Sequence, residues 1–167
     1  MLISFYVLLF VFGSSMGSFY ITTAERILLY FYGKNRKQNS RTKRLFSLLT
    51  IPSHCEICNT KVAPHHLLPV IGYFLAKGKC KNCQTKLSWH YPTSEFLFGI
   101  TGILSFYAMD SLLFSISFIF LLGHLMISIY TDATYFSLDY ENLPFILFFG
   151  LLANFALTNE LPGFEEL

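Results

Sequence analysis

The residues best suited to chemistry are four cysteines in two equally spaced couples, Cys55-Glu-Ile-Cys58 and Cys80-Lys-Asn-Cys83. Two such turns about twenty residues apart can bring four thiolates to one point, which suits tetrahedral Zn²⁺. Lys79 and Lys81 flank the second couple and favour the thiolate form. The same cysteines could instead close two disulfides in an oxidising compartment, or form a redox-active pair. The side of a membrane on which they lie would decide between these.

Charge speaks to that side. Every Lys and Arg lies between Arg26 and Lys86, and from Leu87 onward there are eight acidic residues and no basic ones. A cationic loop between apolar segments resists translocation, so the loop is expected in the cytoplasm. Thiols there are kept reduced, which favours zinc over disulfides. The basic stretch could also suggest nucleic acid, but adjacent apolar segments make membrane topology and anionic headgroups the simpler cause, so no nucleic-acid partner is expected. The chain has 167 residues, one domain-sized unit, with 53% hydrophobic residues, 19 Phe and 13% charged residues, far from soluble norms.

The elements that must position the cysteines are apolar helices. Residues 1–24 carry no charge and suffice to cross a bilayer. The absence of a positive n-region argues for an uncleaved anchor with its N-terminus outside. Its run Gly13-Ser14-Ser15-Met16-Gly17-Ser18 predicts close helix–helix packing. The expected organisation is a first span within 1–32, a basic linker over 33–51, a zinc-binding insert over 52–92, and further spans over 93–167. Between the couples, Leu67, Leu68, Val70, Ile71, Tyr73, Phe74 and Leu75 could pack on the metal site or dip into the membrane interface. No internal repeat beyond the doubled CxxC is expected.

Residues 96–109 are short for a span unless the helix starts near Tyr91 with Glu95 shielded inside the bundle. Residues 111–131 lack Asp, Glu, Lys and Arg and are expected to form a span; 143–157 form a shorter one. Asp110 then lies at an outer turn and Asp132 at the inner end of the third span. The fold class is an all-α polytopic membrane protein of about four transmembrane helices with a small cytoplasmic zinc-binding insert.

Several motifs together resemble a known family. Gly17-Ser18-Phe19 with Arg26 resembles the opening signature of bacterial type IV prepilin peptidases. Pro52-Ser53-His54-Cys55-x-x-Cys58, Leu68-Pro69-Val70, Gly78-Lys79-Cys80-x-x-Cys83, Tyr91-Pro92-x-x-Glu95 and Gly99 resemble its cytoplasmic domain in order and spacing. The resemblance covers about Gly17 to Gly99 and is identified with the N-terminal portion of that family, whose members are inner-membrane aspartic proteases. It implies prepilin or pseudopilin substrates, a lipid bilayer as surroundings, and for many members N-methylation using S-adenosylmethionine. No glycine-rich strand–helix turn for that cofactor is present, so methyl transfer rests on resemblance alone.

The resemblance also implies two membrane-embedded aspartates, one activating water and one kept protonated to assist the scissile carbonyl. Asp132 occupies the place of the first, against a plain helix-end carboxylate as the other reading. Asp139 competes, because Pro144 follows Asp132 only after twelve residues and Phe145 stands where the family has an acid. The second aspartate, in a Gly-x-Gly-Asp motif, does not occur, so this chain alone is expected to be incomplete or inactive. His65-His66 stands where an acid is common; the pair could join a metal site or serve as polar packing. The alternatives to a peptidase are a methyltransferase-only relative and a membrane zinc-binding scaffold.

Overall fold

The computed structural model describes residues 2–32, 52–55, 57–135 and 140–158, and within them the regular elements are helical. The basic linker predicted over 33–51 lies outside the described residues. Helix α1 spans Leu2–Tyr32, α2 is the short Ile71–Leu75, α3 is His90–Met109, α4 is Leu112–Tyr135 and α5 is Leu143–Thr158. A 3₁₀ turn covers Pro64–His66. The third helix does start where the sequence demanded, near Tyr91. Pro92 is tolerated there because a first-turn residue has no intrahelical N–H partner to lose.

Helices α1, α3 and α4 pack on one another, the α1–α3 interface being the most extensive, and α5 packs chiefly on α4. The predicted small-residue run makes the first of these interfaces. A Cβ on Gly13 would lie 2.4 Å from the Phe98 carbonyl oxygen, and one on Gly99 would lie 2.4 Å from Ser14 Oγ. Only glycine lets the two backbones come this close. The buried core beside this seam holds Tyr20, Ala24, Phe98, Ile119 and Ile127.

Between α3 and α4 the chain reverses in two residues. Asp110 takes a left-handed conformation (φ 49°) and its N–H donates to the Phe106 carbonyl, while the Phe114 N–H donates to Ser111 Oγ at 3.3 Å. Asp110 is thus at a turn, as expected. A polar knot fixes α5: Asn142 donates to the His124 carbonyl (2.6 Å) and to Ser128 Oγ (2.8 Å), and the His124 ring stacks on Phe145 at 5.0 Å. Among the described residues, two helices, Leu2–Leu28 and Leu112–Ala133, are long and apolar enough to cross a membrane.

Candidate functional site

The insert is built from two near-identical knuckles. In the first, Cys55 N–H donates to the Thr60 carbonyl (2.9 Å), Asn59 N–H donates to the Cys55 carbonyl (2.8 Å), and Asn59 is left-handed (φ 53°). In the second, Cys80 N–H donates to Thr85 (2.9 Å), Gln84 N–H donates to Cys80 (3.0 Å), and Gln84 is left-handed (φ 57°). Isolated antiparallel bridges, His54 with Lys61 and Lys79 with Lys86, close the two loops. The repeat is therefore longer than the doubled CxxC: Cys58-Asn59-Thr60-Lys61 matches Cys83-Gln84-Thr85-Lys86. That corrects the expectation of no further repeat, and the shared Thr-Lys pair was the overlooked signal.

The knuckles face each other, so that the four Sγ atoms lie within 4.8 Å of one another. Cys55 Sγ is 3.6 Å from Cys83 Sγ, and Cys58 Sγ is 3.8 Å from Cys80 Sγ. With Zn–S bonds of about 2.3 Å, a tetrahedron has edges of about 3.8 Å, so the spacing fits a metal of that size. All four cysteines are free thiols at separations far beyond a disulfide bond. Among the described residues this is the one cluster able to hold a metal.

The knuckle geometry sets the acidity of the thiols. The Thr60 hydroxyl, 3.3 Å from Cys58 Sγ, leads in pulling the Cys58 thiol down to about 5. The Thr85 hydroxyl, 3.1 Å from Cys83 Sγ, lowers Cys83 likewise. Cys55 moves the other way: the Cys58 and Ile57 N–H groups favour its thiolate, but burial and the adjacent sulfurs raise it. His65 and His66 stand outside the cluster in the 3₁₀ turn, their rings 4.2 Å apart. Partial desolvation, then the charges of His66 and Lys81, lowers His65.

A second constellation lies where the insert meets the bundle. Glu95, buried on α3, accepts the Val70 N–H at 2.5 Å. Val70 has φ 61°, a conformation that costs a β-branched residue on the order of 1–3 kcal/mol, and the carboxylate holds it there. One turn earlier Tyr91 donates its hydroxyl to Glu25 of α1. A Cβ on Gly17 would meet the Ser94 carbonyl oxygen at 2.8 Å and Glu95 Cα at 3.1 Å, so Gly17 admits this stretch of α3 against α1. Pro92 is buried beside it, Pro69 precedes the strained Val70, and half-buried Arg26 follows Glu25. Gly17, Pro69, Tyr91, Pro92 and Glu95, separated in sequence, thus meet at one junction. Glu25, the partner of Tyr91, went unnoticed in the sequence because nothing local distinguishes it.

Asp132 stands exposed near the end of α4, and Asp139 lies outside the described residues. The sequence matches the family described as Bacterial Peptidase A24 N-terminal domain over residues 11–109. The chain belongs to that family. It is 33% identical over 100 residues to a prepilin leader peptidase/N-methyltransferase of Bacillus subtilis, covering 58% of this chain and 34% of that one. It is 32% identical over 101 residues to the protein of that name in Neisseria gonorrhoeae, covering 60% and 34%. The Legionella pneumophila protein of the same name is 29% identical over 143 residues, covering 86% and 47%. The chain thus spans about a third to a half of these relatives. No solved structure matches it.

Proposed function

We propose that this chain forms the membrane-embedded N-terminal part of a prepilin leader peptidase in the bacterial inner membrane. The observation that carries this is the family match over residues 11–109 together with the meeting of its motif residues at the Glu95 junction. In this proposal α1, α3, α4 and α5 are the four spans, with the N-terminus outside and the 52–92 insert cytoplasmic. Support comes from confinement of all cationic residues to 26–86 and from the exposed apolar faces of these helices. The 16 residues of α5 rise about 24 Å against a hydrocarbon core of about 30 Å, so local thinning must accommodate it. Reporter fusions at Asn59 and Asp110 should report opposite sides; one side for both would refute the topology.

Cys55, Cys58, Cys80 and Cys83 would hold one Zn²⁺. Four protein sulfurs leave no open position, so the ion would organise the insert and take no part in bond breaking. Asp132 supplies one carboxylate of an aspartic pair that cleaves prepilin or pseudopilin leaders, and the second comes from a Gly-x-Gly-Asp segment that these 167 residues do not contain. Methyl transfer from S-adenosylmethionine accompanies cleavage in this reading. Prepilin coexpressed with the chain and such a segment should lose its leader, read as a gel shift. Asp132→Asn should abolish the shift and Asp139→Asn should spare it. Full cleavage by the chain alone, or by the complemented Asp132→Asn protein, would overturn the pairing.

A further inference from the structure

Six large apolar side chains between residues 67 and 89 stand exposed: Leu67, Leu68, Ile71, Phe74, Leu75 and Trp89, each between 47% and 65%. A soluble surface rarely leaves so many together. The ridge continues beyond the insert. Trp89 precedes α3 directly, and its ring lies 5.1 Å from Tyr73 and 6.4 Å from Phe74 of α2. From Trp89, helical spacing leads through exposed Thr93 to Phe96 and Leu97, then to Leu104 and Tyr107, on one face of α3. The apolar face that a bilayer would cover on α3 therefore runs into α2.

Charge selects the occupant. No Asp or Glu occurs from Ile57 to Ser94, while Lys61, Lys77, Lys79, Lys81 and Lys86 are exposed within that stretch. Apolar side chains, a tryptophan and unopposed lysines are what an anionic membrane surface takes up. We infer that α2 and Trp89 are seated in the headgroup region of an anionic bilayer, so that the insert lies flat on the membrane. The sulfur cluster and the Glu95 junction are then held at the lipid surface, where a membrane-anchored substrate would emerge. This inference rests on the membrane-spanning reading above.

Trp89 is the sole tryptophan, which makes the full chain its own probe. The protein would be placed in nanodiscs of phosphatidylcholine, with and without phosphatidylglycerol, containing lipids brominated high on the acyl chain. Trp89 emission should be blue-shifted, shielded from iodide and quenched by the bromolipid, more strongly with phosphatidylglycerol. Ile71→Ser/Phe74→Ser/Leu75→Ser should shift emission to the red and lose the quenching. The wild-type measurement stands whether or not that variant folds. Red, iodide-accessible emission would overturn the inference. So would blue emission without bromolipid quenching that depends on protein concentration, which would assign the ridge to a second copy. Quenching indifferent to phosphatidylglycerol would overturn the anionic assignment. A Trp89→Phe/Val11→Trp variant separates the two levels. Quenching of its α1 tryptophan with none at Trp89 would sink the ridge alone; quenching at neither would sink the membrane reading as well.

Discussion

The sulfur cluster of the two knuckles and the aspartic site proposed at Asp132 are opposite ways of assembling a site. Each knuckle is closed by hydrogen bonds spanning no more than nine residues, and the facing pair brings four thiols together. Asp132 is a single exposed carboxylate on a helix, dependent for an aspartic mechanism on an acid from elsewhere. Sites made of local turns carry their geometry with them. Sites made across helices depend on everything that sets helix packing.

The comparison can be broken at its stronger end first. Cys55→Ser or Cys80→Ser should take bound zinc from about one per chain to none, because three sulfurs and a hydroxyl hold the ion far more weakly. The helical signal of the bundle should survive. Metal analysis and circular dichroism check both halves, and collapse of the helices would show that the insert is no independent unit. Absence of zinc from fresh, reduced wild-type protein would remove the metal assignment.

The reciprocal cut is Gly13→Leu. Its side chain would have to enter a seam where even a Cβ lies 2.4 Å from the Phe98 carbonyl oxygen. Overpacking of this kind costs about 1–3 kcal/mol, and here the upper end is expected because backbone cannot rotate away. Thermal unfolding in detergent should show the loss while zinc stays bound. Zinc lost together with the bundle would show that the insert does not hold its geometry independently of the helices.

These two cuts also mark what the sequence could disclose. CxxC spacing is a local signal, so the sulfur cluster was legible, and the small-residue run announced packing around Gly13 and Gly17. What the run could not disclose was its partner, because Gly99 and Ser94 lie some 80 residues away. The Tyr91–Glu25 bond spans 66 positions for the same reason. The left-handed Val70 contradicts the preference of a β-branched residue, and only the tertiary contact with Glu95 explains it. The His124–Asn142 knot was legible in principle, since a histidine inside an uncharged span asks for a polar partner, but the partner sits beyond the helix end.

Glu95 joins the insert to the helical bundle, so its removal tests whether these two communicate. Glu95→Ala leaves the Val70 N–H without its acceptor and should cost about 1–3 kcal/mol locally. Trypsin should then cut faster at Lys77 and Lys79, beside α2, with zinc content unchanged. Unchanged cutting would mean that other contacts hold the insert in place.

The finest cut asks whether the two knuckles are equivalent. Thr60→Val and Thr85→Val keep side-chain shape but remove the hydroxyls 3.3 Å and 3.1 Å from Cys58 and Cys83 Sγ. Each hydroxyl stabilises a thiolate, and partners just outside a metal's ligands typically contribute tenfold or somewhat more in affinity. Roughly tenfold weaker zinc binding is therefore expected for each variant in competition with a chelator, with the fold intact. The matching left-handed residues and loop bonds predict effects of the same sign and similar size. The Thr60 hydroxyl also accepts from Asn82 at 2.9 Å, whereas Ile57 stands where a matching amide for the Thr85 hydroxyl would be. A loss confined to one variant would show that the repeated backbone does not impose repeated energetics, and that one knuckle alone governs retention of the ion.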